Sequence, residues 1–124
     1  MTKIIVIDDD RRFLRAIRRL LEASWHDVIT YEDGRPAIAQ IGKEVPDLLI
    51  TDIFMPEMEG LETIRRARAV SSTLPIIAIS GRSITGADYL QIARRFGASA
   101  TLEKPFRRAK LVGLISRLLP QQID

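Results

Sequence analysis

The chain reads Ile4-Ile5-Val6-Ile7-Asp8-Asp9-Asp10 near its start, an unbroken apolar run that ends in three acids. Short runs rich in β-branched residues are typical of strands that are buried on both faces of a parallel sheet. Two further runs share this pattern, Leu48-Leu49-Ile50 and Ile76-Ile77-Ala78-Ile79. We therefore predict three central strands.

Two less apolar segments and five helical segments complete an alternation of strands and helices along the chain. Val28 to Tyr31 and Ala98 to Leu102 suit the edge strands of the same sheet. Apolar stripes with helical spacing run from Phe13 to Leu21 and from Leu111 to Leu118, and weaker helical segments cover Pro36 to Ile41, Leu61 to Ala69 and Ala87 to Phe96. Strict alternation predicts a flavodoxin-like α/β fold, a doubly wound five-stranded parallel sheet of order 2-1-3-4-5 with helices on both faces.

The composition fits one globular domain over residues 1–124, in which residues 120–124 form a plain tail or the start of a linker. The chain has 124 residues, of which 46% are hydrophobic and 28% charged. No apolar run approaches the roughly 20 residues of a membrane span. Without cysteine, disulfides and thiolate metal sites are excluded, and a cytoplasmic location is expected.

The net charge of +3 arises from arginines that cluster on the predicted helices. A solvated helix face explains this pattern, and docking of a protein partner is favoured over nucleic acid, because neither a reading helix nor a stacking surface is visible.

Polar side chains follow the strands at the carboxyl edge of the predicted sheet. Asp8 and Asp9 lie at the end of the first strand and Asp52 at the end of the third. Ser80 ends the fourth strand, and Lys104 follows the fifth. Crowded carboxylates repel one another, so a hard divalent cation such as Mg²⁺ is the expected occupant. A metal, an ammonium and a hydroxyl suit phosphoryl transfer, with Asp52 as the central candidate for the acceptor.

These segments resemble the receiver domains of two-component response regulators over essentially the whole chain. The segments that carry the resemblance are Ile4 to Asp10, Asp47 to Gly60, Pro75 to Ser80 and Glu103 to Phe106. Each motif alone is weak, but four in order at the right strand ends are highly specific.

The resemblance implies a role for each residue of the site. Asp52 would be the phosphoacceptor, and Mg²⁺ would be held by Asp8, Asp9, Asp52 and the backbone carbonyl of Phe54. Ser80 would be the switch hydroxyl and Lys104 the phosphate-binding lysine, supported by a cis peptide before Pro105. One position departs from the pattern, since Thr101 stands where receivers usually carry Tyr or Phe and is too short for aromatic rotamer switching. Asp10 is expected to cap the following helix instead.

The implied function is a signalling switch that catalyses only its own phosphorylation and slow dephosphorylation. The expected partner is a sensor histidine kinase or a histidine phosphotransfer protein. The output partner is not encoded, and a phosphorylation-dependent dimer stays open.

Two alternatives stay open at this point. Asp8 and Asp10 also supply the Asp-x-Asp pattern of a haloacid-dehalogenase-like phosphatase, although Arg11 and Arg12 follow where that family carries Thr or Val. The second alternative is a receiver-like interaction module that is never phosphorylated.

Overall fold

A computed structural model of the chain describes residues 1–53, 60–81 and 86–119, with side chains from residue 91 onward in the last range. Strands and helices alternate along it. The elements are β1 (Lys3–Ile7), α1 (Arg11–Ala23), β2 (Asp27–Tyr31), α2 (Gly34–Lys43), β3 (Leu48–Asp52), α3 (Gly60–Val70), β4 (Ile76–Ser80), α4 (Gly86–Phe96), β5 (Ala100–Glu103) and α5 (Arg108–Leu118).

The five strands form one parallel sheet in the order β2-β1-β3-β4-β5. The predicted fold class and strand order are confirmed, and β1, β3 and β4 are the central strands. Residues alternate between two apolar layers, because successive side chains of a strand point to opposite faces. Ile4 and Val6 pack with residues of α1 and α5, whereas Ile5 and Ile7 pack with residues of α2, α3 and α4.

The strand boundaries agree with the sequence prediction at the ends of β3 and β4 and differ at the start of β5. The strands β3 and β4 end at Asp52 and Ser80, as predicted, so both polar residues belong to the sheet. The prediction that β5 begins at Ala98 is wrong, because it begins at Ala100. The backbone N–H groups of Gly97 and Ala98 both donate to the Ala93 carbonyl, and Gly97 adopts φ 124°. Ala98 therefore closes α4 instead of entering the sheet.

Helix α1 begins and ends with residues of defined geometry. The Asp10 carboxylate accepts from the backbone N–H groups of Arg12 and Phe13 at 2.9 and 3.3 Å, which confirms the expected N-cap. Beyond the other end, Trp25 has φ 67° and is 79% exposed.

No helix in the described part of the chain has the length and apolar character that crossing a membrane requires.

Candidate functional site

Three carboxylates meet at the carboxyl edge of the central strands. One side-chain oxygen from each of Asp8, Asp9 and Asp52 lies within 4.8 Å of the others. Their proximity follows from the register, because Ile7 of β1 pairs with Thr51 of β3 and the next residue of each chain segment is an aspartate. Asp8 and Asp52 are buried, whereas Asp9 is exposed.

Lys104 brings an ammonium group to this cluster. Its Nζ lies 2.5 Å from Oδ2 of Asp8 and 3.8 Å from Oδ2 of Asp52. The backbone N–H of Lys104 donates to the Ser80 carbonyl at 2.7 Å, which fixes the start of the side chain beside the end of β4. The peptide bond from Lys104 to Pro105 is cis, the geometry that the resemblance implies.

Burial is the largest influence on the pKa of the Asp8 carboxyl. It raises the pKa of the Asp8 carboxyl, against the opposing effects of the hydrogen bond from Lys104 and of the backbone N–H of Asp10. Lys104 supplies one positive charge against three carboxylates, so the cluster retains negative charge when all three ionise. This set of oxygen donors fits Mg²⁺, which prefers carboxylates, carbonyls and water.

Ser80 lies next to the cluster at the end of β4. It is fully buried, and its Oγ donates to the backbone carbonyl of Gly81 at 3.0 Å. The Ser80 hydroxyl would have to leave the Gly81 carbonyl before it could donate to a group attached to Asp52. Thr101 is half-buried on β5 and pairs with Ala78, which lies on the same face of the sheet as Ser80.

One expected ligand lies outside the described residues. Residues 54–59, which include Phe54 and its carbonyl, are not described. The described residues resume at Gly60, whose backbone N–H donates to the Ile53 carbonyl at 3.2 Å. A Cβ on Gly60 would lie 1.9 Å from the Asp52 carbonyl oxygen and 2.3 Å from Cα of Ile53. Only glycine therefore permits this close approach behind Asp52.

Sequence reasoning assigned Phe13 to the apolar stripe of α1 and missed its contact with the site. The Lys104 Nζ lies 3.9 Å from the centroid of the Phe13 ring. Phe106 meets the same ring edge to face, with centroids 6.0 Å apart and an interplanar angle of 79°. Both rings line a cavity of about 620 Å³ between α1 and the start of α5. The signal in the sequence was the position of Phe13, the first apolar residue of the helix that follows the acids.

Comparisons with known proteins agree with this architecture. A family model described as the response regulator receiver domain matches residues 4–116. The response regulator MprA of Mycolicibacterium vanbaalenii is 33% identical over 122 residues, which cover 94% of this chain and 50% of that protein. The chain thus spans about half the length of the curated relatives it matches.

Solved structures show the same likeness. A response regulator receiver domain protein from Clostridium thermocellum superposes with a TM-score of 0.88 at 27% identity, covering 95% of this chain and 94% of that one. The chemotaxis response regulator CheY4 of Vibrio cholerae gives a TM-score of 0.86 at 29% identity, with 96% and 99% coverage.

Proposed function

Since the chain belongs to the response regulator receiver domain family, we propose that it accepts a phosphoryl group on Asp52. The donor is a phosphohistidine on a sensor histidine kinase or a histidine phosphotransfer protein. The observation that carries the proposal is the position of Asp52, buried at the end of a central strand between two further carboxylates and the Lys104 ammonium. Membership of this family, whose domains act as signalling switches and not as metabolic enzymes, sets aside the phosphatase alternative.

The transfer requires positioning and charge neutralisation more than covalent assistance. An Asp52 carboxylate oxygen attacks phosphorus, and the phosphorus–nitrogen bond to histidine breaks as the oxygen–phosphorus bond forms. The histidine nitrogen leaves with the electron pair. Lys104 lies close enough to Asp52 to turn its ammonium toward the incoming phosphoryl oxygens.

Asp8, Asp9, Asp52 and the carbonyl of Phe54 would hold Mg²⁺. When bound, this ion neutralises the charge that accumulates on the phosphoryl oxygens. The ionised form of Asp8 is needed for such binding, and Lys104 favours that form by donating to it.

Phosphorylation then changes a protein contact. We propose that the Ser80 hydroxyl leaves the Gly81 carbonyl and donates to a phosphoryl oxygen, which alters the backbone before α4. Slow autodephosphorylation resets the domain. We propose that the receiver domain covers residues 1–124, of which residues 120–124 are a plain tail or the start of a linker. A dimer of the phosphorylated form is one contact that the domain can make.

The test is uptake of a phosphoryl group from acetyl phosphate with Mg²⁺, measured by intact mass. We expect one acid-stable, base-labile phosphoryl group on the wild type. Asp52→Asn should stay unlabelled, and Lys104→Ala should label slowly because the ammonium that neutralises the added charge is missing. Labelling of Asp52→Asn at the wild-type level would falsify the assignment. A wild type that stays unlabelled would favour the interaction module that is never phosphorylated.

A further inference from the structure

The Lys104 ammonium has three neighbours, two carboxylates and one aromatic ring. It donates to Asp8 at 2.5 Å, lies 3.8 Å from Asp52, and faces the Phe13 ring at 3.9 Å from the centroid. The carboxylates can each accept a hydrogen bond. The ring offers no acceptor, but its negative face attracts a cation.

The ring itself is held by the fold. The backbone N–H of Phe13 donates to the Asp10 carboxylate that caps α1. The neighbouring residues Leu14 and Ile17 are buried in the layer between α1 and the sheet. Phe13 also meets Phe106 edge to face. The ring can therefore act as a fixed surface beside the Lys104 ammonium.

We propose that Phe13 is a positioning residue, whose ring face holds the Lys104 ammonium between Asp8 and Asp52. This inference rests on the proposed role of Asp52 as acceptor. To neutralise a phosphoryl group on Asp52, the ammonium must give up part of its contact with Asp8. The ring face attracts the ammonium without fixing it to one acceptor. Phe13 thus keeps the Lys104 ammonium within reach of both carboxylates.

The alternative is that Phe13 only fills space against α1. Phe13→Leu separates the two explanations, because leucine retains an apolar side chain but has no negative ring face. Phe13→Tyr is the matched control, because it keeps the ring. Both variants should first be compared with the wild type by thermal unfolding, which shows whether the fold persists.

The first measurement is the NMR chemical shift of the Lys104 ε-methylene protons, on the full chain without phosphoryl donor. In the wild type and in Phe13→Tyr, the ring above the ammonium should shift these signals upfield. In Phe13→Leu they should return toward the values of the exposed lysines. Signals of Lys104 that stay unchanged in Phe13→Leu would overturn the proposal.

The second measurement is the rate of labelling by acetyl phosphate at saturating Mg²⁺. Phe13→Leu should label about tenfold more slowly, a factor that corresponds to about 1.4 kcal/mol and lies between the values for an exposed and a desolvated cation–π contact. Phe13→Tyr should recover most of the rate. Equal rates for Phe13→Leu and the wild type would overturn the positioning role. A wild type without labelling overturns the proposed function instead, while the Lys104 signals still decide whether the ring holds the ammonium.

Discussion

Asp52 shares the carboxyl edge of the sheet with Asp8 and Asp9, and the three side chains repel one another when no cation is bound. Asp52→Asn removes one of these charges and keeps the shape of the side chain. We expect the metal-free variant to be more stable than the wild type by about 1 kcal/mol, the usual size of a single-residue effect. Thermal unfolding in the presence of a chelator measures the difference. A lower melting temperature for Asp52→Asn would mean that the contact with Lys104 outweighs the repulsion.

Gly60 lies against the backbone of Asp52 and Ile53, and this contact makes a second residue-scale prediction. In Gly60→Ala the new methyl group would meet the Asp52 carbonyl at 1.9 Å, so β3 or α3 must shift. We expect a loss of stability of about 1–3 kcal/mol, the usual cost of overpacking, and slower labelling of Asp52.

Gly113 provides the matched control for Gly60. It lies within α5, and a Cβ there meets nothing within 4 Å. Gly113→Ala should therefore stabilise the protein by about 0.5–1 kcal/mol, as alanine does in an exposed helix interior. If both variants lose the same stability, the contact behind Asp52 has no special role.

The residues at the strand ends could be predicted from the sequence, whereas their neighbours could not. Asp8, Asp52 and Ser80 end apolar runs or follow them directly, and parallel strands bring such ends together. The contact of Phe13 with Lys104 joins residues that are 91 positions apart in the sequence. The close approach of Gly60 to the backbone of Asp52 depends on the position at which α3 begins. Neither contact leaves a pattern in the local sequence, because each depends on which residues the fold brings together.

At the scale of the element, the cap of α1 carries a prediction of its own. Asp10→Ala removes the acceptor of two backbone N–H groups and should cost about 1 kcal/mol of stability. Asp10→Asn should lose little, because asparagine caps helices equally well. Urea unfolding compares the variants, and labelling of Asp52 by acetyl phosphate should persist in Asp10→Asn. Loss of labelling in Asp10→Asn would instead place the Asp10 charge in the site.

Element type was predictable because the period of apolar residues distinguishes strands from helices, but element ends were not. The sequence favours a start of β5 at Ala98, since Ala98 and Ser99 also fit a strand. In the structure, β5 begins at Ala100, because the cap at Gly97 uses Ala98 to end α4. Contacts between helices and strands could not be predicted from the local sequence either. Arg68 of α3, for example, donates to the Gly97 carbonyl at the end of α4.

For the whole molecule, Mg²⁺ should couple stability to pH. Burial raises the folded-state pKa of Asp8 in the metal-free protein, so the stability that Asp8 contributes is complete below the ordinary value of 3.8 and is lost as pH rises through the raised pKa. Mg²⁺ requires the ionised carboxylate and stabilises the native state that binds it. The melting temperatures with and without Mg²⁺ should therefore differ little in acid and should separate as pH rises toward neutrality. A separation that is the same at all pH values would exclude Asp8 as a ligand.

The exposed side chain of Trp25 determines what intrinsic fluorescence can report. It is the one tryptophan of the sequence, and it follows the C-terminal end of α1, the helix that begins after the acids. The 13 residues of this helix span about 20 Å at about 1.5 Å each. Its indole is already in water in the folded protein. Emission should therefore shift little on unfolding and should not respond to Mg²⁺ or to a phosphoryl group on Asp52. Optical assays of this domain need a reporter introduced near α4, or circular dichroism for its unfolding.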